Sequence, residues 1–143
     1  MIVAALALAL ATPQKSVTLS DIRMHLFYET TGRLSPDLTQ QRDFAGWNVI
    51  IGAGSAEEPA DDLLVVAELR STGEQFVQTP LKIVATAHGK VLASRVYRTF
   101  LMQNGQVALP VWVKNAGCAG TISVTVTFGA QRRSEKLTLQ CGE

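Results

Sequence analysis

Apolar and polar residues alternate along most of this chain beyond residue 16. Residues 121–128 read TISVTVTF, so that Ile, Val or Phe occupies every second position and Thr or Ser the positions between. A period of two is typical of a β-strand with one buried and one solvated face. The same pattern, bounded by Gly, Pro and Asn, predicts seven strands. They are 17–29, 63–70, 79–87, 91–102, 107–114, 121–128 and 133–140.

Two of these strands carry further information. Residues 63–70 begin with a nearly continuous apolar run, which indicates a central strand. Pro110 has no N–H to donate, so its strand is predicted to lie at a sheet edge or to carry a bulge. Glycine-containing pairs are predicted to form tight hairpin turns. The pairs are Gly129-Ala130 (type II′), Asn104-Gly105 (type I′) and either His88-Gly89 or Gly89-Lys90.

The spacing of strands and turns defines a fold class. Turn signals recur about every ten residues, and most strands have one dry and one wet face. We therefore predict an all-β fold, a two-layer antiparallel β-sandwich of about seven strands. It resembles the immunoglobulin-like class in architecture. The resemblance stops there, because antibody domains bridge their sheets with a distant cysteine pair and here both cysteines lie in consecutive strands.

Cys118 and Cys141 are the only cysteines. A hairpin centred on Gly129-Ala130 pairs residues whose numbers add up to 259, as 118 and 141 do. This register predicts a disulfide at the open end of the hairpin, with both cysteines on its apolar side. A structural disulfide indicates an oxidising compartment.

Residues 1–11 form an Ala- and Leu-rich apolar run that ends in a small-x-small site, Ala9-Leu10-Ala11. The run has the length of a signal-peptide core and is too short to span a bilayer. We expect a signal peptide at 1–11, a single domain at 12–143 and a bacterial periplasmic or secreted location. The alternative is an apolar N-terminal strand, which is disfavoured because the Ala-Leu repeats lack the β-branched side chains that strands prefer.

A long irregular excursion follows the first strand at 30–62. Breaks of this length inside a compact domain are uncommon and often functional. Trp47, Ile50 and Ile51 are apolar, so we expect them to dock on the sandwich. Four carboxylates near its end form a possible Ca²⁺ site, although they do not match the EF-hand pattern. They are Glu57, Glu58, Asp61 and Asp62; the alternative is a solvated loop.

Little else in the chain indicates chemistry. The formal net charge is +1 and aromatic residues are 6% of the chain, so we expect no nucleic-acid binding. His25 shares a strand face with Arg23 and Glu29, which favours a surface ion pair, and His88 is expected in a turn. Arg95 and Arg98 point to opposite sides of one strand and do not form one flat patch. Arg132-Arg133 is interpreted as an ordinary hairpin end.

These observations favour an exported binding or interaction module over an enzyme. The expected partner is a protein, with no cofactor and no embedding in a membrane, and Trp47 and Trp112 are the candidate contact residues. Two alternatives remain open. One is an extracellular module that binds Ca²⁺ or another ligand through the 57–62 loop, and the other is a hydrolase with an unrecognised site.

Overall fold

The protein is nearly all β, as the alternating pattern predicts. The computed structural model describes residues 15–41, 44 and 56–139. The strands, in chain order, are β1 (Val17–Tyr28), β2 (Arg33–Leu34), β3 (Asp62–Ser71), β4 (Gln75–Val77), β5 (Leu81–Ala87), β6 (Lys90–Tyr97), β7 (Phe100–Met102), β8 (Gln106–Val113), β9 (Gly120–Phe128) and β10 (Gln131–Leu139). One turn of 3-10 helix, Leu38–Gln40, follows β2.

The strands form two four-stranded antiparallel sheets and a small ribbon. The first sheet has the order β2-β1-β3-β8, the second sheet has the order β10-β9-β5-β6, and β4 pairs with β7. Inward side chains of both sheets belong to one hydrophobic cluster, which includes Ile22, Leu63, Ile83 and Val124. The all-β class is thus confirmed in a sandwich-like arrangement, while the closer immunoglobulin-like assignment stays a prediction.

The predicted hairpin turns are confirmed by their backbone angles. His88 and Gly89 have φ values of 49° and 73°, and Asn104 and Gly105 have 51° and 75°. Two consecutive positive φ values define a type I′ turn, which matches the right-handed twist of the flanking strands. Gly129 has φ 56° and Ala130 does not share the positive sign, as a type II′ turn requires.

The described residues contain more strands than the seven predicted, because strands of two or three residues are too short to show an alternating pattern. The predicted strand 91–102 is interrupted at Arg98-Thr99, and its second part, β7, pairs with β4 instead of continuing β6. Three residues are too few to show a period of two. The excursion 30–62 is also less irregular than predicted, since it contains β2 and the 3-10 helix and Asp62 already belongs to β3.

The described part of the excursion covers an open edge of β1. Strand β2 pairs with only two residues of β1. Beyond them, the Met24 N–H donates to Asp37 Oδ1 at 3.1 Å and the Leu26 N–H donates to Ser35 Oγ at 2.9 Å. Side chains therefore satisfy backbone groups that a further strand would otherwise pair, which removes a template for edge-to-edge association.

The register of the last hairpin agrees with the one inferred from the cysteines. Phe128 opposes Gln131 and Gly120 opposes Leu139. Cys118 lies in a turn before β9 and is exposed, so its predicted place on the apolar side is wrong. The physical reason is that the strand begins only at Gly120, where φ is 70° and the inward alternation stops. Cys141 lies outside the described residues, and the disulfide stays a prediction.

Candidate functional site

The outer face of the first sheet carries a patch of apolar and aromatic side chains. The rings of Phe27 and Trp112 meet edge to face with centroids 5.5 Å apart. Leu34 opposes Phe27 across β1 and β2, and Leu64 opposes Trp112 across β3 and β8. Trp112 is 40% exposed and Leu34 is 46% exposed. We call this surface the Trp112 face; its residues are Phe27, Leu34, Leu64, Val66, Pro110 and Trp112.

The patch arises because β3 is apolar on both of its sides. Leu63 and Val65 point into the core and are fully buried, so Leu64 and Val66 point outward. Val66 is nevertheless only 8% exposed. The predicted central position of this strand is confirmed, since β3 lies between β1 and β8. This outward apolar row lies on the side of the sheet that faces away from the core, and neighbouring side chains cover much of it.

Ion pairs surround the Trp112 face. Lys114 contacts the Asp62 carboxylate beside Trp112, and its ammonium lies 5.5 Å from the centroid of the Trp112 ring. Arg23 contacts Glu68 on the side of Val66. Near Leu34, Arg33 approaches both Glu57 and Glu58, at 3.0 and 3.5 Å. The apolar centre is thus bordered by charges that already have partners.

The four carboxylates proposed for Ca²⁺ are distributed among these contacts. Glu57 and Glu58 share Arg33, while Asp62 accepts from Lys114 and from the Asn115 N–H. Asp61 contributes its backbone carbonyl, which accepts from the N–H groups of Ala116 and Gly117. Within 15–41, 44 and 56–139, no group of three or more His, Cys, Asp or Glu is placed to hold a metal ion. The described residues therefore contain no cluster of ligands that would support the Ca²⁺ site, which stays a prediction.

A groove of about 460 Å³ adjoins the Trp112 face at its far end. Polar side chains dominate its walls, with Arg23 and Glu68 at the border of the Trp112 face and Leu101 as an exposed apolar contribution. The other side chains in its lining include Arg70, Gln103, Asn104 and Gln106. Together the two features form a flat apolar area with a polar recess next to it.

Strand β8 is the terminal strand of its sheet, as Pro110 predicted. Its edge is closed at the centre, because Pro110 lacks an N–H and its carbonyl accepts from the Tyr97 hydroxyl. Burial raises the pKa of Tyr97, an effect that the nearby Arg95 opposes. The Arg95 guanidinium lies 4.5 Å from the centroid of the Tyr97 ring. At Pro110, β8 therefore offers an added strand neither an N–H donor nor a free carbonyl acceptor. Trp112 lies on the face of the sheet and not at this edge.

The histidines have structural roles. His25 Nδ1 lies 2.9 Å from the Ser35 carbonyl oxygen, and Arg23 pairs with Glu68. The predicted ion pair of His25 is therefore wrong, because the loop after β2 folds back over the edge of β1 and reaches the ring first. His88 occupies the type I′ turn as predicted.

The sequence singled out Trp112, which is exposed, but not the residues around it. Phe27 shares a strand face with Arg23 and His25, so the sequence shows it as a single apolar residue on a polar face. Leu34 lies in a segment without strand pattern. The signal that unites them is the register between strands, which one sequence does not contain. Trp47, the other predicted contact residue, lies outside the described residues.

Comparison with known proteins adds no family to this description. Neither the models of protein families nor the curated protein sequences contain a match to this chain. Among the described residues, no helix has the length and hydrophobicity needed to cross a membrane.

Proposed function

We propose that this protein is a binding module that docks a protein partner on the Trp112 face. The observation that carries the proposal is the exposed Trp112 ring, which packs on the half-buried Phe27 ring inside a border of ion pairs. Protein interfaces combine an apolar core with a polar rim, and Trp is enriched among the residues that contribute most binding free energy. Contacts with Phe27 and with the sheet restrict the Trp112 side chain, so binding costs little additional side-chain conformational entropy.

The paired charges support a protein partner further. Each rim cation already contacts a carboxylate, so docking does not leave an isolated charge to be desolvated. The adjoining groove provides hydrogen-bonding groups next to the apolar area. This combination fits a folded partner with a protruding apolar surface and one polar side chain that enters the groove.

Export is the second part of the proposal. It is supported by the apolar run at 1–11 and by the predicted disulfide between Cys118 and Cys141. Expression of the full chain in a bacterium, followed by fractionation and N-terminal sequencing, tests it. We expect a periplasmic or secreted product that begins near Thr12; an intact chain in the cytoplasm contradicts export.

Site-specific photo-crosslinking tests the docking face. A photoreactive amino acid at position 112 should produce one discrete adduct in cells that express the protein natively, and mass spectrometry identifies the partner. The matched control is the same amino acid at Phe76, which is more exposed and lies on the β4–β7 ribbon. The unlabelled variant Trp112→Ser should bind the purified partner at least tenfold more weakly than the unmodified protein does, while Phe76→Ser should bind it with unchanged affinity.

Other outcomes argue against the proposal. Equal adducts at positions 112 and 76 would indicate non-specific contact. An adduct between two copies of this chain would replace a separate partner with a homodimer. Retention of full affinity by Trp112→Ser would remove the Trp112 face as the docking site.

A further inference from the structure

The second sheet differs from the first in its net charge, because its strands carry few acidic residues. From Gln75 to Ser134 the chain contains no Asp or Glu, whereas ten of its 12 acidic residues precede Gln75. The basic residues are spread along the whole chain. The formal charge of +1 therefore conceals an uneven distribution, in which the strands of the second sheet carry most of the uncompensated positive charge.

The outer face of the second sheet forms a grid of three rows across four strands. Strand register places Arg132, Thr127, Lys82 and Val96 in the first row, Ser134, Thr125, Val84 and Ser94 in the second, and Lys136, Ser123, Thr86 and Val91 in the third. Six of these 12 positions are Ser or Thr, three are Lys or Arg, and none is acidic or aromatic. We call this surface the hydroxyl face.

Among the described residues, the three cations of the hydroxyl face have no carboxylate partner. Ion pairs in the described part of the chain involve Arg23, Arg33 and Lys114, all at the first sheet, and none includes Lys82, Arg132 or Lys136. All three side chains are exposed. Glu135, the nearest acidic residue in sequence, points to the other side of β10, opposite Val124.

Spacing and hydrogen bonding define what fits this surface. Lys82 and Arg132 lie two strands apart in one row, which is roughly 10 Å, and Lys136 lies four residues along β10 from Arg132, which is roughly 14 Å. Hydroxyl groups occupy the area between them. Thr125 and Ser134 hydroxyls contact each other at 3.1 Å, so their remaining hydrogen-bonding capacity points to solvent.

We propose that the hydroxyl face binds an acidic polysaccharide. Such a polymer carries its anionic groups on sugar rings that also bear hydroxyls, which complements cations with hydroxyls between them. Ser, Thr and sugar hydroxyls each donate and accept, so they pair without a fixed orientation. The proposal is independent of the Trp112 face, because the two surfaces lie on opposite sides of the sandwich.

The composition of the face argues against two other polyanions. Single-stranded nucleic acid is bound with aromatic side chains that stack on bases, and the grid contains none. An anionic membrane is bound by clusters of four to eight basic residues or by apolar side chains that insert, whereas this face has three separated cations. The apolar side chains of the face are also separated, since Val84 lies in the middle row and Val91 and Val96 lie in different rows of the edge strand.

Binding to alginate oligosaccharides tests the proposal. Isothermal calorimetry with the disulfide-intact protein at low salt should show binding that weakens as salt rises, since neutralised contacts release counterions. The variant that combines Lys82→Ser, Arg132→Ser and Lys136→Ser should bind at least tenfold more weakly. The control variant, Lys15→Ser with Arg33→Ser and Arg70→Ser, removes the same charge elsewhere and should bind within about twofold of the unmodified protein.

The comparison ligands separate specific from non-specific attraction. Neutral dextran should not bind, and an oligonucleotide and vesicles containing phosphatidylserine should bind at least tenfold more weakly than alginate. Equal loss of affinity in both triple variants would show that net charge, not this face, is responsible. Tighter binding of the oligonucleotide or the vesicles would assign the face to that polyanion instead, and no alginate binding at low salt would overturn the proposal.

Discussion

Apart from Arg70, which has no ion pair among the described residues, the cations on the outer faces of the two sheets differ in whether they have a carboxylate partner. Around the Trp112 face, Arg23, Arg33 and Lys114 each contact a carboxylate. On the hydroxyl face, Lys82, Arg132 and Lys136 have no such partner among the described residues. Cations with partners border an apolar surface and contribute to local structure, whereas cations without partners retain their full charge for a ligand. Charge pairing therefore distinguishes the surface that we propose for a protein partner from the surface that we propose for a polyanion.

The largest effect on this comparison is expected at Asp62. Its side chain is almost buried and accepts from Lys114 and from the Asn115 N–H. Asp62→Ala should lower the free energy of unfolding by about 1–3 kcal/mol, because the hydrogen bonds that this charged carboxylate accepts from Lys114 and from the Asn115 N–H are lost. Lys82→Ala on the hydroxyl face, with no partner to lose, should change it by less than about 0.5 kcal/mol. Urea unfolding measures both; equal effects would remove the distinction between the faces.

Tyr97 tests the connection between the sheet edges, with a smaller effect. Tyr97→Phe removes the hydrogen bond from β6 to the Pro110 carbonyl and should cost about 1 kcal/mol at neutral pH. Trp112 fluorescence in a Trp47→Phe background should show whether the end of β8 moves. Loss of less than about 0.3 kcal/mol would mean that the hydrogen bond contributes little to holding β8 against β6.

The same residue predicts a dependence on alkaline pH. Burial raises the pKa of Tyr97 in the folded protein, so the folded state holds the phenolic proton more tightly than the unfolded chain does. This contribution is complete below the unfolded pKa of about 10 and is lost as pH rises through the folded pKa. Melting curves between about pH 8 and 11 should show a steeper loss for the unmodified protein than for Tyr97→Phe. Parallel curves would contradict the assignment.

The smallest effects, of opposite sign, come from adding one carboxylate to each face. Ser123 lies directly opposite Lys136 and Ala108 lies directly opposite Glu68. Ser123→Glu should therefore stabilise the protein, and Ala108→Glu should destabilise it, each by about 0.2–1 kcal/mol. High salt should reduce both changes, since exposed charges are screened. Changes of the same sign would indicate that the two faces do not differ in local potential.

Particular residues show how far the sequence predicts this fold. Gly129-Ala130 and Asn104-Gly105 predicted their turns because few residues adopt positive φ without strain. The strand 121–128 was evident from alternation, and Pro110 predicted an edge. The β4–β7 ribbon was not predictable, because Gln75–Val77 is too short to show a period. The predicted inward position of Cys118 was wrong because β9 begins only at Gly120, two residues after the cysteine, so the alternation of the strand does not extend to it.

The candidate surfaces were less predictable than the fold. Trp112 was identified from its residue type, but Phe27 and Leu34 join it only through the register of β1 with β2 and the proximity of β8. Lys82 and Arg132 are 50 positions apart in the chain. Their common row depends on two successive antiparallel pairings, β5 with β9 and β9 with β10. The acid-free stretch from Gln75 to Ser134 is visible in the sequence and was the available signal.

By itself, the sequence determined the all-β class, the positions of the tight turns and which side of each long strand is apolar. These properties depend on backbone sterics and on a period of two, both of which act over a few residues. Tertiary structure alone decided which outward side chains meet. Register and strand order bring together residues from distant parts of the chain, so the Trp112 face and the hydroxyl face exist only once the sheets have formed.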